Sequence, residues 1–327
     1  MQKVHWGLLS TANINRRLIP AIRASAHGEL TAVASRDLAT AKSYASAWVI
    51  PHAFGNYQEM LDSDLIDAVY IGLPNHLHAE WSIRAIQSGK HVLCEKPMAI
   101  SIEEIEAMIV TSRQNQRVLA EAFMYRHHPQ TRITQEWISS GRIGDVILIQ
   151  GIFNFKLNRR QNYRLVSDYG GGCLWDVGVY PLSYSQMIFG DPPQFVSAAQ
   201  WVGETGVDET FAGILHYSQD RIAHISSSLR SPFFTQVEII GTDGRISLNR
   251  PFSAMEDNRR LLFYPNEADS IEIPVPEQEL YIGEVEDMHN AILKDSPTLI
   301  SLQETRDHIR TVLALYEAAK TRQVIAL

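Results

Sequence analysis

The chain predicts a two-part α/β protein: an N-terminal doubly wound parallel sheet, then an α/β domain with a large, mostly antiparallel open sheet. Three observations carry this. Apolar runs alternate with amphipathic helical patterns over the first third, at the pitch of βαβ units. Past Gly141 the helical patterns thin out and strand-like runs follow one another. The length, 327 residues, is enough for two cores.

The first strand is Val4 to Ser10. Asn13 to Ser25 reads as a helix with Ile14, Leu18 and Ile22 on one face, ended by Gly28; Pro20 inside it predicts a bend or break. Leu30 to Ser35 is a strand, followed by a helix through Lys42 and Ala47. Ala68 to Leu73 is a strand, His78 to Ser88 a helix stopped at Gly89, and Val92 to Glu95 a strand. Ser101-Ile102-Glu103-Glu104 is a capping box for the next helix, and Val118 to Phe123 is a further strand. The boundary is placed near Ala122 to Arg132, dividing the chain into 1–122 and 123–327.

Gly141-Arg142-Ile143-Gly144 then turns the chain into a long strand, Val146 to Phe155. Gly170-Gly171-Gly172 precedes one helix through Asp176 and Met187. Phe195 to Val202, Thr210 to Tyr217, Ile222 to Leu229 and Gln236 to Ile240 are strands, and Thr242-Asp243-Gly244 makes a hairpin into Arg245 to Leu248. Gln303 to Arg322 is the C-terminal helix.

Composition narrows the function. Net charge is −8 with no dense Lys/Arg block, which argues against nucleic acid or an anionic membrane as the main partner. Cys94 and Cys173 form no Cys-x-x-Cys pair, so neither a disulfide framework nor a cysteine zinc site is expected. Met1 to Ser10 reads as a strand rather than a signal peptide, and no apolar run is long enough to span a bilayer; a cytoplasmic protein is expected. His76-x-His78 and His127-His128 lack the spacing of a helical metal signature, and no metal is expected.

The first βα turn is the candidate cofactor site. A dinucleotide fingerprint would place glycine at 10, 12 and 15; this chain has Ser10, Ala12 and Asn15. Small residues still let the backbone approach a pyrophosphate, and the helix beyond supplies N–H groups and a positive dipole. At the end of the second strand an NAD enzyme usually places an acid for the ribose 2′-OH. Here the residues are Ser35-Arg36-Asp37. Ser35 does not repel a 2′-phosphate and Arg36 can pair with it, so NADP is preferred, with NAD the alternative. Asp37 is read as the cap of the following helix, against a second reading as an acidic partner for NAD. Lys96, in Glu95-Lys96-Pro97, closes a buried apolar strand at its carboxyl end, where ligands bind in doubly wound sheets.

Several segments together resemble the glucose-fructose oxidoreductase/inositol dehydrogenase (Gfo/Idh/MocA) family. They are Ser10-Thr11-Ala12, Gly72-Leu73-Pro74-Asn75-His76-Leu77-His78, Cys94-Glu95-Lys96-Pro97, and Gly170 through Tyr180. Glu121 through Pro129 and Asn162-Tyr163-Arg164 are similar to the branch holding dimeric dihydrodiol dehydrogenases and NADP-dependent D-xylose dehydrogenases. The departures are the missing fingerprint glycines and the internal Pro20.

The resemblance implies an NAD(P)-binding Rossmann domain over 1–122 and a substrate-binding and oligomerisation domain over 123–327. It implies hydride transfer between a nicotinamide and a sugar or cyclic diol, in a homodimer or tetramer joined through the open sheet. Lys96 matches the catalytic lysine, Asp176 the acidic residue, and Tyr180 the acid/base. Ser10, Thr11, Ala12, Asn13, Ile14, Ser35, Arg36, Leu73, Pro74, Asn75, His78, Glu95, Lys96, Tyr163 and Arg164 are the implied cofactor contacts. Arg126, His127, Phe155, Asp176 and Tyr180 are the implied substrate contacts.

The chemistry suits these residue types. Hydride leaves a carbinol carbon only as the hydroxyl proton leaves, so a base must reach that oxygen. A lysine cation favours tyrosinate and stabilises a developing alkoxide. Asp176 and Tyr180, four apart on a predicted helix, share a face. The rival readings are a keto-sugar or 1,5-anhydrofructose-type reductase and a non-enzymatic NADP(H)-binding regulator.

Overall fold

The computed structural model describes residues 2–158, 162–253 and 259–327. The chain forms two compact units: residues 1–124 with 281–306, and residues 125–280 with 307–327.

In the first unit, β1 (Val4–Leu9), β2 (Gly28–Ala34), β3 (His52–Phe54), β4 (Ala68–Ile71), β5 (His91–Glu95) and β6 (Leu119–Ala122) form one sheet in the order β3-β2-β1-β4-β5-β6. Every pair is parallel. This is the doubly wound order, and its reversal between β1 and β4 opens a crevice at the strands' carboxyl ends. Trp6, Leu8, Val69, Tyr70, Val92 and Leu93 are buried, as strands covered on both faces require.

The helices here are α1 (Asn15–Ala24), α2 (Leu38–Trp48), α3 (Tyr57–Leu61), α4 (His78–Gln87) and α5 (Ile102–Asn115). Pro20 does not break α1. The carbonyl it leaves unpaired belongs to Arg16, an exposed residue, where water can replace the lost bond. Asp37 caps α2 by accepting from the Thr40 N–H at 2.7 Å. Ser101 Oγ accepts from Glu104 N–H at 3.1 Å, and Glu104 reaches back to the Ile100 N–H, one residue before the position a capping box uses.

The second unit is built on nine strands. They are β7 (Val146–Asn154), β8 (Phe195–Val202), β9 (Asp208–His216), β10 (Ile222–Ser228), β11 (Phe234–Gly241), β12 (Gly244–Asn249), β13 (Arg260–Pro265), β14 (Ile271–Glu272) and β15 (Ile325–Ala326). Their order is β14-β13-β12-β11-β7-β10-β9-β8-β15, antiparallel except for β7 with β10. α6 (Pro129–Ser139) precedes the sheet and α7 (Val179–Phe189) crosses it. Gly151 lets α7 lie directly on β7: a Cβ there would come within 2.5 Å of Pro181 Cβ. α8 (Ile282–Lys294) belongs to the first unit, and α9 (Leu302–Thr321) begins in the first and ends in the second.

The single helix expected through Asp176 and Met187 is not regular. Leu174–Gly178 forms a π-helical turn, and only then does α7 begin. Asp208, on β9, accepts the Leu174 N–H at 2.7 Å, an amide at the start of the turn that has no partner within the helix. Val237, Ile239, Ile246 and Leu248 are buried, while Glu238 on the opposite side accepts from Arg245 at 2.7 Å. Exposed apolar residues gather instead at Phe195, Trp201, Ile214 and Phe234, between 43% and 48% exposed.

Candidate active site

In the first unit the residues singled out in the sequence cluster at the carboxyl ends of β1, β2, β4 and β5. Ser10 is buried, Thr11, Ala12 and Ile14 are half-buried and Asn13 is exposed at the start of α1. Across from this turn, Gly72 packs so closely that a Cβ would meet Ile14 Cγ2 at 3.1 Å. A close backbone approach beside a helix N-terminus fits a pyrophosphate.

At the end of β2, Ser35 is buried, its N–H donating to Phe54 O at 3.0 Å. Arg36 is exposed. The Asp37 carboxylate is occupied as the α2 cap, and the Thr40 hydroxyl, with its N–H, holds it below the usual carboxylate range. The side chains here thus present a cation, not an acid, to a ribose, which fits a 2′-phosphate better than a free 2′-hydroxyl.

Leu73 to His78 forms the β4–α4 connection, with a short 3₁₀ turn at Asn75–Leu77. His78 is 1% exposed and lies inside the protein. Its ring lies between two carbonyls, Nδ1 at 2.8 Å from Pro97 O and Nε2 at 2.7 Å from Leu73 O. Burial lowers its pKa to about 4 against the pull of both carbonyls, so the ring is neutral and donates to only one of them. His78 therefore sits between the Leu73 loop and the Lys96-Pro97 segment and holds one of them by its single N–H.

Lys96 is half-buried one residue past β5, before a cis bond to Pro97. Glu95 accepts a short hydrogen bond from the Tyr70 hydroxyl, and its other oxygen accepts from the Lys96 N–H at 3.2 Å. Burial, then Glu95 itself, pushes the Tyr70 phenol well above its ordinary value. Glu121 is 3% exposed and accepts from Met98 N–H at 3.0 Å and from Thr305 Oγ1 at 2.9 Å. A buried carboxylate thus anchors the backbone just beyond the lysine.

In the second unit, Tyr180 opens α7 and is buried at 7% exposure. Three rings surround it, Phe153 at 5.3 Å, Phe252 at 5.4 Å and Tyr125 at 6.0 Å between centroids. Asp176 sits in the π turn and accepts from Arg164 Nε at 2.7 Å. Asp176 is thus brought together with Arg164. The guanidinium lies over the Tyr163 ring at 4.6 Å. Burial works against the guanidinium's charge, and Asp176 together with Tyr163 and Tyr180 outweighs it, leaving Arg164 above its ordinary pKa.

Arg126 and His127 are buried at 5% and 9% exposure. Burial, then Arg126 and Arg132, lowers His127 to about 3, so its ring is neutral. Phe155 is half-buried, and its N–H continues the β7 ladder to Ser228 O at 2.9 Å. Residues 159–161, within the Phe155 to Arg164 loop, lie outside the described residues.

Sequence reasoning missed Asp208. At 3% exposure it accepts from Leu174 N–H, from Cys173 Sγ at 3.0 Å and from Tyr316 Oη at 2.8 Å. Burial raises its pKa. No local pattern marks it, because its partners come from distant parts of the chain. Among the described residues no group of three His, Cys, Asp or Glu is placed to hold a metal, and no helix is long and apolar enough to cross a membrane.

Residues 4–123 match a family model described as an oxidoreductase family with an NAD-binding Rossmann fold, and residues 131–247 match a GFO/IDH/MocA C-terminal domain. The chain is 34% identical over 324 residues, 98% of its length and 99% of the relative's, to a D-xylose 1-dehydrogenase (NADP(+)) 2 of Haloferax volcanii. The chain belongs to the GFO/IDH/MocA oxidoreductase family. Other members lie close to it. A trans-1,2-dihydrobenzene-1,2-diol dehydrogenase of Xenopus tropicalis is 33% identical over 246 residues, 74% of each chain. The crystal structure of a 3-ketoreductase from Actinomadura kijaniata, in complex with NADP and TDP-benzene, superposes with a TM-score of 0.91 at 27% identity, covering 97% of this chain and 98% of that one. The GFO/IDH/MocA assignment makes the first unit a nicotinamide-nucleotide-binding domain. It also agrees with the branch that the Glu121 to Pro129 and Tyr163-Arg164 segments resemble.

Proposed function

We propose that the protein is an NADP-dependent dehydrogenase or reductase acting on the carbinol or carbonyl carbon of a sugar or cyclic diol. The observation that carries this reading is the end of β2, where Arg36 is exposed and the one nearby acid, Asp37, is occupied by Thr40. The NADP named for the Haloferax relative supports the same cofactor.

A bound nicotinamide supplies the hydride acceptor or donor. The chain's own residues supply the rest. Tyr180 is the acid/base for the substrate hydroxyl. Lys96 supplies positive charge to the alkoxide that develops there. Asp176 keeps Arg164 in place through the bond at 2.7 Å. The collar of Tyr125, Phe153 and Phe252 excludes water around Tyr180 and offers flat apolar walls to the C–H face of a ring substrate. Arg126, His127 and Phe155 are proposed substrate contacts, and Tyr163 and Arg164 cofactor contacts.

A second reading, a keto-sugar reductase, is favoured by the similarity to the 3-ketoreductase and differs only in direction. We further propose a homo-oligomer joined through the face bearing Trp201, Ile214 and Phe234. A reducing, cytoplasmic setting fits the two buried free thiols, Cys94 and Cys173.

The test is reduced-nicotinamide absorbance on mixing the protein, NADP or NADPH, and a panel of pentoses, hexoses, keto-sugars and cyclic diols. Turnover of at least one, faster with NADP(H) than with NAD(H), is the expected result. Cofactor binding without turnover of any would leave the regulator reading in its place.

A further inference from the structure

We infer that Ser10 and Asn15 together replace the glycines of a dinucleotide-binding turn, with Asn15 as a positioning residue that holds Ser10 in a glycine-like conformation. The inference rests on the nucleotide reading of this turn. A glycine fingerprint works by omission: without a Cβ the backbone takes positive φ freely and lies close to phosphate. This turn has side chains at all three positions, Ser10, Ala12 and Asn15.

Ser10 nevertheless sits at φ 133°, where a Cβ is disfavoured. Something must hold it there. Asn15, 1% exposed, donates from Nδ2 to Ser10 O at 2.8 Å. Ser10 Oγ donates to Gly72 O and accepts from Ala12 N–H, both at 3.2 Å. The packing is tight, since a Cβ on Gly72 would meet Asn15 Oδ1 at 3.4 Å. Side-chain hydrogen bonds thus impose the conformation that glycine would adopt unaided.

The consequence for binding follows from peptide geometry. In a planar trans peptide the C=O and the following N–H point in opposite directions. Asn15 draws the Ser10 carbonyl inward, so the Thr11 N–H points the other way. That N–H has no protein partner among the described residues. It stands at the start of α1, where an anion is favoured. Asn15 therefore aims a phosphate donor without touching the nucleotide.

The experiment is calorimetric titration of NADP into the wild type and the Asn15→Ala, Ser10→Gly and double variants, with thermal unfolding of each without nucleotide. Asn15→Ala should weaken NADP about tenfold, the net worth of one hydrogen bond. In the Ser10→Gly background the same change should cost less than about threefold, because glycine holds positive φ by itself. The unfolding midpoints should show the same coupling, a larger drop from Asn15→Ala beside Ser10 than beside glycine. Asn15→Gly tests the same bond if the alanine variant does not fold. Equal losses in both backgrounds, or none in either, would overturn the inference while leaving the nucleotide reading standing. A wild type that binds neither NADP nor NAD would overturn both.

Discussion

On the proposed reading, Tyr180 and Lys96 are the residues on which the chemistry turns. Tyr180→Phe removes one hydroxyl and keeps the ring against Phe153 and Phe252. Turnover should fall ~10²–10⁴-fold, the range of general acid–base catalysis, with NADP affinity retained. Lys96→Ala should abolish turnover while leaving folding nearly intact, since the half-buried side chain contributes little to the core. The double variant should cost much less than the product of the separate losses, because groups acting on one oxygen are not additive. Steady-state and single-turnover kinetics measure all three, and near wild-type turnover in Tyr180→Phe would remove it from the role. Arg36→Ala should weaken NADP by roughly 1.5–3 kcal/mol, one charge-assisted bond, and leave NAD unchanged. Unaltered NADP affinity in a direct titration would refute that contact. At this scale much was legible. Asp37 is the cap that the following helix calls for, and Lys96 stands at the strand end that the apolar run marks. The Arg164–Asp176 pair was not, because both residues had been assigned outward roles that a sequence cannot weigh against a mutual one.

The main strands of both units and most helices of the first are readable from alternation and caps, since those signals are local; β3, α3, α6 and α8 are not read from the sequence. Nor is the π turn. Its first amide is held by Asp208, 34 residues further on than Leu174, and no periodicity within residues 173–189 encodes that. The short strands β13 to β15 carry too few residues for a period to show. Asp208→Ala tests the element directly. It leaves the Leu174 N–H, the Cys173 thiol and the Tyr316 hydroxyl without their shared acceptor, and should cost about 3 kcal/mol of stability. Denaturant unfolding measures it, and a loss under about 0.5 kcal/mol, the level of an ordinary surface change, would mean the carboxylate does not hold the turn. Gly151→Ala probes the same element from below. Its new methyl would sit 2.5 Å from Pro181 Cβ and lift α7 off β7. Stability should fall by ~1–3 kcal/mol and turnover should drop with Tyr180's displacement, while NADP affinity holds.

Across the whole molecule, buried histidines link stability to pH. His78, His128 and His289 are lowered from 6.5 to about 4 and His127 and His308 to about 3, in each case first by burial. The unfolded chain takes up these protons near the ordinary histidine pKa and the folded chain does not. Their contribution is therefore complete above about pH 7 and is lost as pH falls through 6.5 towards 4. Unfolding free energy should decline by up to about 1.4 kcal/mol per pH unit for each such histidine. A flat stability profile from pH 7 to 5 would show that the rings are protonated or exposed in the folded state. The open sheet face, with Phe195, Trp201, Ile214 and Phe234 nearly half exposed, should associate. Light scattering should return at least a dimer, and a monomer at micromolar concentration would contradict it. Hydride transfer from a ring carbinol to NADP is the proposed reaction. It is tested most directly with a substrate from the sugar and diol panel carrying deuterium on the oxidised carbon. The deuterium should appear on the nicotinamide ring of NADPH, with a higher kcat/KM for NADP than for NAD. Deuterium released to water instead, or equal efficiency with the two cofactors, would contradict the account.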